Sequence, residues 1–309
     1  MKNQITFSQA IQGYLLNAEA RHLSPHTIAD YQNTFRKFQK YLNQDPPINQ
    51  IATHQIKEFL AQQTVSNKTI LNYHTGLSAL WTWAEKERLV IENIVRLVDR
   101  PKPEKRDIIP FTQNDIRALL ANLEKTNLYQ RPGKHPSAHS LPCAERNRAI
   151  ILLLLDTGVR SSELCELTHH SLDIKNARVK VLGKGAKERS VPFSPRTGQA
   201  IWKYITANNA DRLPDEAIFQ NQQNRPLNRD RLLKILRVIG DRAGISNVHP
   251  HRFRHTFAVN YLRNGGDPWS LQRMLGHETM EMVSRYLRIA QADLDASHRR
   301  ASPVDHWRL

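Results

Sequence analysis

Cysteine is nearly missing from this chain. Cys143 and Cys165 are the only two among 309 residues, too few for a disulfide framework and set in no recognisable metal-binding pattern. Long apolar runs are missing as well. The longest, "AIILLLL" at residues 149–155, suits a core helix and falls far short of a bilayer span. The opening "MKNQITFSQAIQGYLL" lacks the apolar block and small-residue cleavage site of a secretory signal. These absences predict a cytoplasmic chain without a membrane partner. Acidic side chains are scarce: 29 Asp and Glu stand against 45 Lys and Arg. No carboxylate cluster suited to Mg²⁺ is visible, which disfavours a metal-dependent nuclease.

What is present is positive charge, a net +16. Such an excess favours a polyanion, because each neutralised phosphate releases counterions and drives association. No basic amphipathic segment stands apart as a membrane anchor, so nucleic acid is the expected partner. With 39% hydrophobic side chains, the chain can build one large core or two ordinary ones.

The first hundred residues read as helices. In "SPHTIADYQNTFRKFQKYL", Ser24 is an N-cap with Pro25 at the first helical position, and Ile28, Tyr31, Phe35, Phe38 and Leu42 recur at helical spacing. Thr53 is expected to cap a shorter helix, and "SNKTILNYHTGLSALWTWAEKERL" supplies another. "VDRPKPEKRDIIP" alternates proline with charge and cannot continue a helix. The predicted organisation is therefore a helical domain over residues 1–98, a linker over 99–110 and a second domain over 111–309. Thr112 caps the next helix. Residues 178–182 and 188–193 form two β-type runs around a Gly-rich turn, a hairpin. Residues 125–145, rich in Pro, Gly, Ser and His, read as a surface loop. The fold class is mainly α with a small β-hairpin, an α+β chain of two domains.

Several motifs invite chemistry. In "TGVRSSELCEL", Gly158 ends a helix and Arg160 sits near the start of the next, where free N–H groups and the helix dipole favour an anion. Glu163 lies on the same helix face, able to buttress a neighbour. Read alone, the pair is only an exposed arginine with a helix-stabilising glutamate. "GKGAKER" presents Lys184 between two glycines, with Lys187 and Arg189 following; it does not meet the Walker A spacing. A basic hairpin tip of this kind contacts DNA or is plain solvated charge.

"HPHRFRHTFAVNYL" begins a helix at or just after Pro250. His251, Arg254, Ala258 and Leu262 share one stripe, His255 is adjacent to it, and Phe253 and Phe257 pack inward. His251 and His255 have the i,i+4 spacing of zinc ligands, but the general-base glutamate and third ligand are missing, and arginine among them repels a dication. Further on, Asp267-Pro268 starts a helix and Gly276 ends it, delivering His277 into a bend, with Tyr286 on a final helix.

In order and spacing this set resembles the tyrosine recombinases of the phage-integrase family, and in particular its compact Xer-like members. The match rests on Arg in "TGVRSSEL", Lys in "GKG", His-x-x-Arg in "HRFRHTF", His in "LGHE" and a tyrosine nine residues later. It covers nearly the whole chain, because the N-terminal helices resemble that family's core-binding, SAM-like domain. The resemblance implies catalytic roles for Arg160, Lys184, His251, Arg254, His277 and the nucleophile Tyr286, support from Glu163, and DNA contacts from Lys187 and Arg189. Arg160 and Arg254 would grip the non-bridging oxygens, His277 would add a donor, His251 would accept the tyrosine proton and Lys184 would protonate the leaving oxygen. It further implies a 3′-phosphotyrosyl intermediate, no metal, no ATP and no other cofactor. The expected partners are double-stranded recombination sites bound by a homotetramer, or by a tetramer shared with a related recombinase. The segment after Tyr286 resembles tails that dock on a neighbouring protomer.

Two chemistries compete with recombination. A type IB topoisomerase shares the nucleophile and covalent intermediate but needs one duplex and one protomer. A non-catalytic DNA-binding regulator would have lost a site member, whereas all six are present.

Overall fold

The computed structural model describes residues 5–104, 107–123, 143–183, 188–207 and 213–290, with isolated positions 298, 302 and 304. The chain divides into two compact units, Met1–Asp107 and Ile108–Leu309. Among the described residues no helix is long and apolar enough to cross a membrane.

The first unit is built on four α-helices: α1 Phe7–Ala20, α2 Pro25–Leu42, α3 Thr53–Ala61 and α4 Asn67–Lys86. Ser24 accepts from the Thr27 N–H and Pro25 opens α2, as the sequence predicts. Thr53 does not cap α3. It is the first helical residue, and the Gln55 side chain instead accepts from the Ala52 N–H at 2.9 Å, a glutamine reaching back to do part of what a capping hydroxyl would do. The apolar faces meet in an aromatic core. The Phe38 ring meets Phe7 edge-on at 5.4 Å and Phe59 at 5.1 Å between centroids. Each fully buried aromatic of this kind contributes about 1.5–3 kcal/mol over leaving it exposed.

The second unit begins with α5, Gln113–Ala121, whose Thr112 cap accepts from Asp115. It continues through α6 Ala144–Thr157 and α7 Ser161–Cys165. Of the loop expected over 125–145, Cys143 is the α6 cap and residues 144–145 are already helical; the rest lies outside the described residues. A three-stranded antiparallel sheet follows, in the order β1 Leu172–Asp173, β2 Arg178–Leu182 and β3 Glu188–Pro192. The hairpin pairs Val179 with Val191 and Leu182 with Glu188. Period-two alternation turns Val179, Val181 and Val191 into the core. The two-residue β1 has too little pattern to be read from sequence.

Then come α8 Pro195–Ala207, α9 Arg229–Ala243, α10 Pro250–Arg263, α11 Pro268–Leu275 and α12 Glu281–Ala290. Helix α10 packs on α6, α11 and α12. It sends Phe253 into the main core, while Ala258 and Val259 join Leu271, Leu275, Val283 and Tyr286 in a smaller one. Phe257, expected to pack inward, is only half-buried, against that smaller cluster.

Candidate active site

The site forms where the end of α6, the start of α7, strand β3, helix α10, the end of α11 and helix α12 converge. Its first device is a glycine. Gly158 ends α6 with φ +61°, and a Cβ there would lie 2.6 Å from the Phe257 ring. Both the left-handed backbone and the close approach require glycine. Two residues later Arg160 is the N-cap of α7, in extended conformation.

The carboxylate of Glu163, its side chain only 2% exposed, lies between two arginines. Its Oε1 accepts from Arg160 Nη1 and Arg189 Nη1, and its Oε2 accepts from the Arg160 backbone N–H and Arg189 Nη2, all at 2.8 Å. Burial alone would push this carboxyl up. The hydrogen bonds from Arg189 and the Arg160 backbone, with the Arg189 charge, outweigh it and hold the pKa below the usual carboxylate value. The Arg160 N–H at the α7 N-terminus is therefore taken by the protein's own carboxylate, so any anion is met by the Arg160 side chain, 32% exposed.

Arg189 corrects an expectation. The sequence places it on the DNA face, with Lys184 and Lys187 in a basic hairpin tip, but its side chain is 13% exposed and its guanidinium is engaged internally. Besides its bidentate pair with Glu163, its Nε donates to the Met274 carbonyl at 2.7 Å. It ties β3 to α7 and α11. Lys184 and Lys187 of the same hairpin lie outside the described residues.

Three successive carbonyls at the end of α11 are each met by a different arginine. Met274 O accepts from Arg189, Leu275 O from Arg254 at 2.7 Å and Gly276 O from Arg160 at 3.1 Å. The last turn of a helix leaves carbonyls without intrahelical partners and carries its negative pole. These carbonyls offset part of the repulsion among the three cations. Gly276, at φ +64°, then turns the chain so that His277 faces the same cluster.

Arg254, on α10 and only 4% exposed, also donates to Gly158 O at 2.8 Å and to His277 Nε2 at 2.9 Å. Burial, then the nearby Arg160, lowers its pKa to about 10, which leaves it charged at neutral pH. A guanidinium only donates, so His277 Nε2 is the acceptor and the proton resides on Nδ1. That Nδ1–H is buried and has no partner among the described residues, an unmet donor inside a cationic pocket. Burial, followed by Arg254 and Arg160, lowers the His277 pKa to about 4 and keeps the ring neutral.

Tyr286 on α12 is 1% exposed. Its ring lies parallel to His277, 6.2 Å between centroids. Burial raises its pKa, against the lowering charges of Arg254, Arg285 and Arg160. Its hydroxyl is 2.9 Å from Nδ1 of His255. The sequence sets His255 beside the His251–Arg254 stripe and raises it only as a zinc ligand, at i,i+4 from His251; nothing in the sequence pairs it with Tyr286. Burial, then His251, His249, Arg254 and Arg285, lowers the His255 pKa to about 4.

His251 stands on the exposed rim, its ring 6.4 Å from that of His255. Surrounding protein, then Arg254 and Arg160, holds its pKa below the usual imidazole value. His249 precedes the helix and caps it, Nδ1 accepting from the Arg252 N–H at 3.3 Å. Among the described residues no group of three His, Cys, Asp or Glu side chains is arranged to hold a metal ion. The cluster thus assembles Arg160, Arg254, His277, Tyr286 and Glu163, with His251 at its edge. Chemically it sets two guanidiniums and a neutral imidazole beside a buried phenol whose oxygen shares a hydrogen bond with a second imidazole.

A family model described as the phage integrase family matches residues 110–293, and one described as the phage integrase N-terminal SAM-like domain matches residues 11–64. Similar curated proteins include the tyrosine recombinase XerC of Bacillus pumilus, 31% identical over 294 residues with 89% of each chain covered. XerC of Bacillus subtilis is 29% identical over 282 residues, 88% of each chain. Among solved structures, the Tn1549 transposon integrase in complex with transposon right end DNA superposes with TM-score 0.73 at 20% identity, over 95% of this chain and 99% of that one. A lambda integrase dimer bound to a COC′ core site gives 0.72 at 18% identity, over 94% and 79%. At these identities the structural likeness is one of fold.

Proposed function

The chain belongs to the phage integrase family, and from that premise we propose that it is a site-specific recombinase which cuts and rejoins duplex DNA through a phosphotyrosyl bond to Tyr286. The observation that carries the reading is one convergence. The buried Tyr286 ring lies parallel to His277, His277 accepts from Arg254, and Arg254 and Arg160 grip neighbouring carbonyls at the end of α11.

In this reading the Tyr286 oxygen attacks the scissile phosphorus. An O–P bond forms to the 3′ side of the strand while the bond to the 5′ oxygen breaks. Arg160 and Arg254 neutralise the non-bridging oxygens, where planar guanidinium forks fit phosphate. The unpartnered Nδ1–H of His277 supplies a third donor to the charge that builds up in the transition state. His251 adds an imidazole from the rim. Lys184 delivers a proton to the departing 5′ oxygen, which leaves as a hydroxyl. Glu163 and Arg189 hold Arg160 and the end of α11 in place. The phosphotyrosyl bond conserves the energy of the bond it replaces, so a 5′-hydroxyl from another strand reverses the step without a nucleotide cofactor.

The protein's partners are then double-stranded recombination sites in the cytoplasm, bound by four protomers on two duplexes. The net charge of +16 supports a DNA partner, and the lambda integrase it resembles in fold is a dimer on its core site. The test is covalent trapping. The full chain is incubated in EDTA with lightly nicked genomic DNA of its source organism, denatured, and assayed for DNA that resists detergent and is released by protease. Wild type is expected to yield such adducts and Tyr286→Phe none; wild type without adduct would sink the reading.

A further inference from the structure

Resting on the nucleophile assigned above, we propose that His255 is the catalytic base of the cleavage step, the group that receives the Tyr286 proton through the hydrogen bond the two already share. His251 was the residue expected in that role, and it stands on the exposed rim. His255 Nδ1 is 2.9 Å from the Tyr286 oxygen, within direct proton-transfer distance. The phenol is the more acidic partner, so it donates and the neutral imidazole accepts. With the tyrosine 1% exposed, bulk water cannot serve that oxygen, and its proton needs a protein acceptor.

The surroundings make this base conditional. On its own helix His255 faces His251 and Arg254, with His249 at the helix start; from α12 it faces Tyr286 and Arg285, and His277 also stacks on the Tyr286 ring. Burial and these cations hold its proton affinity low, so the resting phenol keeps its proton. A phosphodiester seated between Arg160 and Arg254 brings a negative charge into the same pocket and offsets part of that field, which favours the protonated imidazole. Substrate binding would therefore raise the basicity of the group that activates the nucleophile. The step balances: the Oη–H bond breaks, its proton moves to Nδ1, the oxygen forms the bond to phosphorus, and the 5′ oxygen leaves with the electron pair of the broken P–O bond. On rejoining, the imidazolium returns the proton to the departing phenolate.

The test uses full-length protein and a nicked duplex made from DNA that wild type traps. His255→Ala and His255→Gln are compared with wild type for adduct rate across pH, for binding to the same duplex by gel shift, and for adduct rate with imidazole added. The duplex is also made with sulfur replacing the 5′ bridging oxygen, a leaving group that needs no proton. Both variants are expected to bind DNA as wild type does and to form adduct about 100-fold more slowly or worse. Imidazole should restore part of the rate of His255→Ala, and the bridging sulfur should not. An unchanged rate, a defect repaired by the sulfur, or a slowed but folded variant that imidazole leaves unrescued overturns the assignment. Absence of adduct from wild type is instead the failure of the recombinase reading, and the two outcomes are read from different lanes of one gel.

Discussion

Arg189 and Glu163 form a bidentate ion pair, two N–H···O bonds of 2.8 Å each, across the gap between strand β3 and helix α7. The carboxylate is buried and also holds Arg160, so the pair connects Arg160 to the β2–β3 hairpin. Removing one partner of a buried pair leaves the other charge uncompensated. Arg189→Ala is expected to destabilise the second unit by about 3 kcal/mol, read as a lowered midpoint in urea unfolding.

Geometry matters to this pair beyond charge. Arg189 offers three donors in a fixed fork, one to Met274 O and two to Glu163. Lysine cannot reproduce that pattern. Arg189→Lys should fold, bind DNA with little change, and cleave at least about tenfold more slowly, because Arg160 and His277 lose their seating. Equal single-turnover cleavage rates for Arg189→Lys and wild type would refute the positioning role.

Gly276→Ala tests the turn that presents His277. The position needs φ +64°, and an added Cβ would sit 3.1 Å from Arg189 Nη1. The left-handed backbone alone costs about 1–2 kcal/mol for a residue with a Cβ. The variant should show a lower melting temperature and, where folded, a much reduced adduct yield with DNA binding retained.

The carboxylate and the imidazoles set opposite ends of an acid-side pH profile. Glu163 has a folded pKa below its usual 4.5. The stability it contributes is present above that value and lost as pH falls through the lower folded one. His255 and His277 have folded pKa values of about 4 against a usual 6.5. Between those limits the unfolded chain binds more protons, so stability falls as pH drops from 6.5 towards 4. The melting temperature of wild type should decline through that window. His277→Gln should flatten its upper part and Glu163→Gln its lower end, and superimposable profiles would contradict the shifts.

Much of the frame is legible in the sequence. Ser24 and Thr112 cap where local chemistry places them, Asp267 accepts from Ser270 at 2.7 Å to start α11, and Gly158 and Gly276 end helices in the left-handed region. Such features depend on residues within a turn of one another, and spacing along the chain reports them directly. Thr53 shows the limit even there, because a glutamine two residues on made the capping contact instead.

By itself, then, the sequence determined the helices, the hairpin, the charge and the ordered set of arginines, histidines and tyrosine that marks the family. Only the tertiary structure decided which groups Arg189 and His255 meet. Arg189 meets Glu163 from 26 residues away and Met274 from 85, and His255 meets Tyr286 across 31. A hairpin arginine reads as surface charge until a buried carboxylate is folded against it. A histidine beside the His251–Arg254 stripe reads as incidental until another helix lays a phenol on its nitrogen. Partners so distant in sequence are chosen by packing, and packing leaves no local periodicity to read.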